Sequence, residues 1–470
     1  MRSEPCCALY PHSDCSSVSS KRLRTRTPTR SAICSMISGR TGERVSKTPK
    51  RLATLLSGVR VGTLNQDPNG RLGFVYEDDY PVDATPLSPS LPRREQPYTH
   101  ADVAPYVAGL LPDNEQVLER WASMFGVRSG NVFALLSHVG TDCAGAVQFV
   151  REDQLDELSD AGSGGGGVVD IDDDGVEAML RDLRVNPYTW QQPGGGRGGH
   201  FSLAGAHAKF ALHRTERGWG RPSGSVPTTH IFKPSMIGVA NHDVNEHLSL
   251  RAASSLGLIV ARSELSSFGR ERAIVVERFD RTRRDGRVVR VHQVDMCQAL
   301  AVMPELKYHR DGGPGPGDII GLLNQVGGGA ADVDRFVKSL LFNWVIGGTD
   351  AHAKNYGLLM QGLRARLTPL YDVASAVVLD EWNPHTWELA MRINKKGRFK
   401  YLRIDDWYKF ARTVGVSTEM IRSTTLDFVE RIGDALADAA VAFADNAECR
   451  QFSDRFRDAV ALHAATIDLR

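Results

Sequence analysis

NWVIGGTDAHAKNYGLLMQGLRARLTPLYD, residues 343–372, is the stretch on which the reading of this chain turns. A one-sided helix leads into it. From Val333, apolar residues fall at Phe336, Val337, Leu340, Leu341, Trp344 and Val345, the i, i+3, i+4 pattern of a helix with one buried stripe. Asp332 or Asp334 can cap its start, and Gly347-Gly348 predicts its end. A short polar loop, Thr349 to Asn355, comes next. Tyr356 to Met360 then predicts a strand, Gln361-Gly362 a turn and Leu363 to Leu370 an alternating second strand, with Asp372 just past the hairpin.

Asp350 and Asn355 are five apart (355 − 350). Protein kinases hold a base Asp and a metal-binding Asn at that interval, with a second metal-binding Asp past a following hairpin. Phosphoryl transfer explains the set. One carboxylate orients the attacking hydroxyl, while an amide and a second carboxylate, both hard oxygen donors, hold Mg²⁺ on the phosphates. Alone, a D-x4-N spacing is an ordinary polar loop whose side chains close turns. The preceding helix, the hairpin and Asp372 make the catalytic reading the stronger one.

The strings TDAHAKNYGLL (349–359) and LTPLYDVAS (367–375) resemble the signature of the HipA family, bacterial serine/threonine kinases that act as toxins of toxin–antitoxin pairs. Further pieces carry the same resemblance. FSLAGAHAKFAL, 201–212, is similar to the family's S-x-A-G-A-Q-x-K phosphate loop through Ser202, Ala204, Gly205, Ala206 and Lys209, with His207 where the family has Gln. The resemblance makes Ser202 the candidate for autophosphorylation, which would place charge where ATP phosphates sit and eject the loop. TTHIFKP, 228–234, predicts a strand carrying Lys233, a point charge for nucleotide phosphates. The helix predicted over 243–257 carries Glu246, which either pairs with Lys233 or closes a capping box with Asp243. AIVVERF, 273–279, is similar to the hinge that borders adenine, at Glu277 and Phe279. VHQVDMCQALAVMPELKYHRDGGPGPG, 291–317, resembles a family segment with Val294 in place of Glu; His292 and Cys297 read there as a packed helix start rather than a metal or nucleophile pair, and Gly312 to Gly317 as a loop able to face substrate.

The resemblance implies an α+β, bilobal protein-kinase-like fold with an N-terminal α+β subdomain and a mostly helical C-lobe. Its cofactors are ATP and Mg²⁺. Asp350 is the expected base, with His352 orienting the loop and Lys354 steadying the transferred phosphate. Asn355 and Asp372 hold the metal, and Ser202, Ala204, Gly205, Ala206, Lys209, Lys233, Glu277 and Phe279 surround the nucleotide. It also implies a HipB-like DNA-binding antitoxin as partner, with DNA reached mainly through it. The implied acceptor is a protein, an aminoacyl-tRNA synthetase by analogy with the family.

The rest of the chain sets boundaries. At 470 residues it exceeds one ordinary domain. A net charge of +1 gives no global pull toward nucleic acid or a membrane, and no apolar run approaches a bilayer span. Seven scattered cysteines form neither a disulfide framework nor paired zinc spacings, which fits a reducing cytoplasm. Residues 1–48 read as a disordered basic tail or as an upstream start, with Met36 a later one. Residues 49–150 form an α+β subdomain. In it two alternating strands of 51–76 flank Asp67-Pro68-Asn69-Gly70, and a helix runs from Pro112 to Gly126; nothing in it suggests catalysis. Residues 151–180, with Gly164 to Gly167 and the acids Asp170, Asp172, Asp173 and Asp174, read as a solvated linker, and Gly194 to Gly199 as a flexible loop. The nucleotide-binding lobe then spans 181–290 and the helical lobe 291–470. Two rival functions share these motifs: a kinase for a small hydroxyl-bearing metabolite, and a non-catalytic scaffold bound to an antitoxin.

Overall fold

The computed structural model describes residues 50–155, 167–188, 202–236, 238–443 and 446–469. The basic stretch 1–48 and the Gly194–Gly199 cluster lie outside the described residues. Among the described residues no helix is long and apolar enough to cross a membrane.

The N-terminal unit is an antiparallel sheet in the order β3-β2-β1-β4, built from β1 (Lys50–Leu56), β2 (Val59–Gln66), β3 (Leu72–Tyr76) and β4 (Val147–Val150), with helices His100–Ala108, Glu115–Phe125 and Val132–Val139. The Asp67–Gly70 turn joins β2 to β3, and the Asp67 carboxylate accepts from the Asn69 and Arg71 N–H groups at 2.9 and 2.8 Å. A further strand arises because Ser57 and Gly58, at φ 51° and 83°, fold the first apolar run back on itself. The helix expected from Pro112 starts later. Asn114 caps it by accepting from the Gln116 and Val117 N–H groups, and Gly126, at φ 66°, ends it.

The second unit is a six-stranded antiparallel sheet in the order β5-β7-β6-β8-β10-β9, with β5 (Val168–Ile171), β6 (Phe210–Thr215), β7 (Gly218–Pro222), β8 (His230–Pro234), β9 (Ser263–Phe268) and β10 (Glu271–Glu277). The acidic end of the expected linker is therefore structured. Asp170 lies in edge strand β5, and Asp172 caps the helix Asp173–Val185 through the Gly175 N–H at 2.9 Å. That helix buries Val176, Met179, Leu180 and Leu183 against the sheet. Its acids occupy the N-terminal turn, where the helix dipole favours them, so a run that reads as a solvated linker is an amphipathic helix start.

A hairpin of β11 (Arg281–Arg284) and β12 (Arg287–Arg290) leads into a small sheet of β13 (Gln293–Asp295), β14 (Gly357–Gln361) and β15 (Arg364–Leu367). Around it pack helices Pro316–Gln325, Gly329–Ile346, Ile404–Val414, Thr418–Ala440 and Ala447–Ala464. The helix before the central loop starts at Gly329, one turn earlier than expected. Asp332 does not cap it; its carboxylate accepts from the Leu367 N–H at 3.0 Å and from Arg335 at 2.7 Å, tying the helix to the hairpin. Gly347, at φ 69°, ends it as the sequence predicts. Two links bring the lobes together. Ala261 and Leu370 join backbones (N–H to carbonyl, 2.8 Å), and helix His242–Ser255 packs on both the six-stranded sheet and helix Thr418–Ala440.

Candidate active site

One cleft between these units is lined by all the nucleotide, metal and catalytic candidates except Ser202. Strand β8 delivers Lys233, and helix His242–Ser255 delivers Glu246. The Lys233 ammonium donates to Glu246 Oε1 at 2.8 Å and to Asp372 Oδ1 at 2.9 Å. The alternative capping role of Glu246 is not seen, because Asp243 pairs with Arg272 and Asn241 occupies the cap in a left-handed conformation. Burial works against the charge on Lys233, yet Asp372 and Glu246 outweigh it and raise its pKa. Burial would push Asp372 upward, but Lys233 and Lys209 hold it well below the usual carboxylate range. Asp372 itself sits at φ 57°, which bends the chain sharply after the hairpin and turns its carboxylate back toward Lys233.

Asp350 opens onto the same cleft. Its Oδ1 accepts from the Tyr308 hydroxyl at 2.5 Å, and His352 Nε2 lies 3.9 Å away. Burial raises the Asp350 pKa to about 6, against the lowering pull of Lys307 and of the Tyr308 hydrogen bond. Asn355 donates through Nδ2 to the Asp350 carbonyl at 2.7 Å, and its Oδ1 has no partner among the described residues. Asp372 Oδ2 is likewise unpartnered there. Two hard oxygens at the cleft are thus left over, the donor type Mg²⁺ takes.

On the opposite wall the loop 202–209 carries Ala204, Gly205, Ala206 and Lys209, whose ammonium donates to the Ala204 carbonyl at 2.6 Å. A Cβ on Gly205 would meet Lys209 Nζ at 2.7 Å, and its φ of 101° suits glycine. Burial, then Lys233, lowers the Lys209 pKa to about 8. Ser202 departs from expectation. It is fully buried, and its hydroxyl donates to the Leu110 carbonyl of the N-terminal unit at 2.8 Å, so it does not face the cleft. Lys354 lines the cleft, but its ammonium is engaged by Asp295 at 3.1 Å, the Gly109 carbonyl at 3.1 Å and Asp113 at 3.5 Å. At the expected hinge, the Glu277 N–H donates to the Arg262 carbonyl at 2.9 Å, whereas the Phe279 N–H has no partner among the described residues. The Phe279 ring lies 5.4 Å from that of Tyr371.

Several cleft residues carry no signal in the sequence. Tyr308 and Lys307 are 42 and 43 positions before Asp350 (350 − 308, 350 − 307) and belong to no spacing motif. Asp113, from the N-terminal unit, also lines the cleft: it binds Lys307 at 2.8 Å and faces Lys354. His292 and Cys297 are as expected. His292 donates to the Leu87 carbonyl, and Cys297 is buried in a short helix capped by Asp295.

Residues 52–150 match the model of the HipA N-terminal domain, and residues 201–437 that of the HipA-like C-terminal domain. The chain belongs to the HipA family of serine/threonine protein kinases. Y4mE of Sinorhizobium fredii, a protein that bears the name of a kinase, is 36% identical over 84% of this chain and 94% of its own. The serine/threonine-protein kinase toxin HipA of Shewanella oneidensis is 29% identical over 82% of this chain and 88% of its own. The solved structure of a Shewanella oneidensis HipA, in complex with HipB and operator DNA, superposes with a TM-score of 0.76 at 26% identity, covering 88% of this chain and 97% of that one. The two-lobed α+β architecture is thus kinase-like.

Proposed function

We propose that this cleft binds ATP with Mg²⁺ and passes a phosphoryl group to a serine or threonine hydroxyl of a protein. The observation that carries this is Lys233 held between Glu246 and Asp372, with Asp350 opening onto the same space. Asp350 accepts the proton of the attacking hydroxyl, and burial raises its basicity toward neutral pH. Tyr308 holds the carboxylate in place, and the neutral His352 ring packs edge-on against the Tyr308 ring. Asn355 and Asp372 hold the magnesium, which when bound supplies charge neutralisation on the phosphates. Lys233 and the loop 203–209 take the phosphates, and the Phe279 N–H together with the ring pair Phe279–Tyr371 take the adenine. Lys354 acts by posture: its ion pairs with Asp295 and Asp113 fix the loop between Asp350 and Asn355.

The same reading extends to a toxin of a toxin–antitoxin pair with a HipB-like antitoxin, the assembly in which the Shewanella relative was solved. By family analogy the acceptor is a protein of translation, an aminoacyl-tRNA synthetase. Ser202 becomes an autophosphorylation site only when the loop leaves the packing seen here, because its hydroxyl is buried on Leu110.

The test is labelling with [γ-³²P]ATP and Mg²⁺, using wild type and Asp350→Asn with host lysate as acceptor. Removal of a general base is expected to slow labelling about 10²–10⁴-fold. The same variant is expected to unfold at a higher temperature at neutral pH. A carboxyl whose pKa rises from 3.8 to about 6 on folding favours the native state while protonated, and that contribution is lost as pH rises through about 6. Equal labelling by both proteins would remove Asp350 as the base. A labelled metabolite in place of a protein would select the small-molecule kinase.

A further inference from the structure

His207, His242 and Glu246 converge behind the cleft wall from two elements, the phosphate-side loop and the helix His242–Ser255. All three are buried, and each can present one ligand atom within 4.8 Å of the others. Each also carries a buried polar atom with no hydrogen-bond partner: His207 Nδ1, His242 Nδ1 and Glu246 Oε2. Three unsatisfied polar atoms in one place are costly unless something fills the space between them.

The chemistry of the set narrows what that is. The Nε2 of His207 lies 2.8 Å from the Pro234 carbonyl. A carbonyl only accepts, so Nε2 carries the proton and Nδ1 of the neutral ring keeps its lone pair. That is the posture of a metal-bound imidazole whose other nitrogen is fixed by a backbone oxygen. Burial, then His242, keeps the His207 ring neutral, and burial does the same for His242. Glu246 spends Oε1 on Lys233 and has Oε2 to give. The two ammonium groups nearby, Lys209 and Lys233, each face the carboxylates of Asp372 and Glu246.

We propose that His207, His242 and Glu246 bind one late first-row divalent cation, Zn²⁺ foremost, which pins the phosphate-side loop to the helix that carries Glu246. Two imidazoles and one carboxylate suit Zn²⁺; Mg²⁺ and Ca²⁺ want more oxygen than this set offers. Binding sets the ligand atoms, now within 4.8 Å of one another, at roughly 3.4 Å, the edge of a tetrahedron with arms of about 2.1 Å. This inference does not rest on the kinase reading, since binding is measured without nucleotide.

The experiment titrates the full-length, chelator-stripped chain with Co²⁺, followed by visible absorption, and then displaces it with Zn²⁺. Wild type is expected to take one equivalent with the d–d bands of a tetrahedral site and no thiolate charge-transfer band, and to keep it in excess Mg²⁺. His207→Gln and His242→Gln, checked for folding by circular dichroism, are expected to bind about 100-fold more weakly or worse, since even outer-shell losses cost 10–100-fold. Wild-type protein that takes no Co²⁺ or Zn²⁺ overturns the proposal without recourse to any variant. So does a cobalt spectrum with sulfur ligation, or binding that survives His207→Gln and is lost when Cys6, Cys7, Cys15 and Cys34 are replaced by Ser.

Discussion

Two of the buried charge clusters among the described residues are finished differently. The first joins the N-terminal unit to the sheet domain around Asp142. Its carboxylate receives Thr228 Oγ1 at 2.6 Å, Arg281 at 2.8 Å, Arg290 at 3.2 Å and Arg278 at 3.4 Å, while Asp280 takes the Gly145 N–H at 2.6 Å and two nitrogens of Arg278. The guanidinium groups left over reach the Cys143 and Gly145 carbonyls, and only Arg290 Nε lacks a partner. The second is the cleft cluster of Lys233, Glu246 and Asp372, with Asp350, His352, His207 and His242 around it. There Glu246 Oε2 and one nitrogen of each histidine stay unpartnered, as do Asn355 Oδ1 and Asp372 Oδ2 among the described residues. A cluster that only holds a fold closes its own hydrogen bonds; one that handles ligands leaves valences open for them.

The sharpest way to break this contrast is to remove Asp142. Asp142→Ala leaves three buried guanidinium groups facing one another, and stripping one partner from such a set costs about 3–5 kcal/mol. Denaturant unfolding of wild type and variant measures it. Nucleotide binding by the fraction that stays folded is expected to be unchanged. A loss under about 1 kcal/mol would mean that the cluster relaxes onto water and is not the fastening described above.

Asp372→Asn asks the opposite question. Lys233 keeps Glu246, and Asp372 is 29% exposed to the cleft, so the fold is expected to lose about 1 kcal/mol or less. What vanishes is the stabilisation that ATP with Mg²⁺ gives, about 2.7 kcal/mol at a hundredfold excess over Kd in wild type. Thermal unfolding with and without nucleotide reads both numbers. Retained nucleotide stabilisation in the variant would release Asp372 from the metal-binding role.

The contrast also explains what was legible beforehand. Asp350, Asn355 and Asp372 can be found because a helix, a tight loop and a hairpin fix them within one local stretch, and local geometry repeats as spacing. Lys233 and Glu246, thirteen apart (246 − 233), are readable as a strand and the following helix, although the choice between ion pair and capping box needed Asp243 to be seen engaged by Arg272. Asp113, Tyr308 and Lys307 are invisible because chain-distant contacts leave no period. The acidic run at 170–174 misled for a related reason: helix N-terminal turns and solvated linkers both favour carboxylates, and only burial of Val176, Met179, Leu180 and Leu183 tells them apart. Ser202 was legible as a loop residue, but not the Leu110 carbonyl, 92 positions away, that takes its hydroxyl.

The smallest expected effect on the plateau rate falls on Tyr308, and it separates positioning from bulk. Its hydroxyl donates to Asp350 at 2.5 Å, a bond that favours the ionised carboxylate. Lys307 lowers the same pKa, while burial, Asp372 and Asp113 raise it. As base, Asp350 acts only when ionised, so activity is expected to climb with pH through about 6 and level off above it. Tyr308→Phe removes a hydrogen bond to a charged group, about 1.5–3 kcal/mol. That corresponds to roughly one to two pKa units at 1.36 kcal/mol each. The acidic limb of the pH–rate profile is therefore expected to move upward by that amount, toward pH 7 to 8, while the rate on the alkaline plateau stays within about threefold of wild type. A uniform loss at every pH, with the limb still near 6, would make Tyr308 a packing residue for the His352 ring, whose centroid lies 4.9 Å away, and would leave the titration of Asp350 to burial and Lys307 alone.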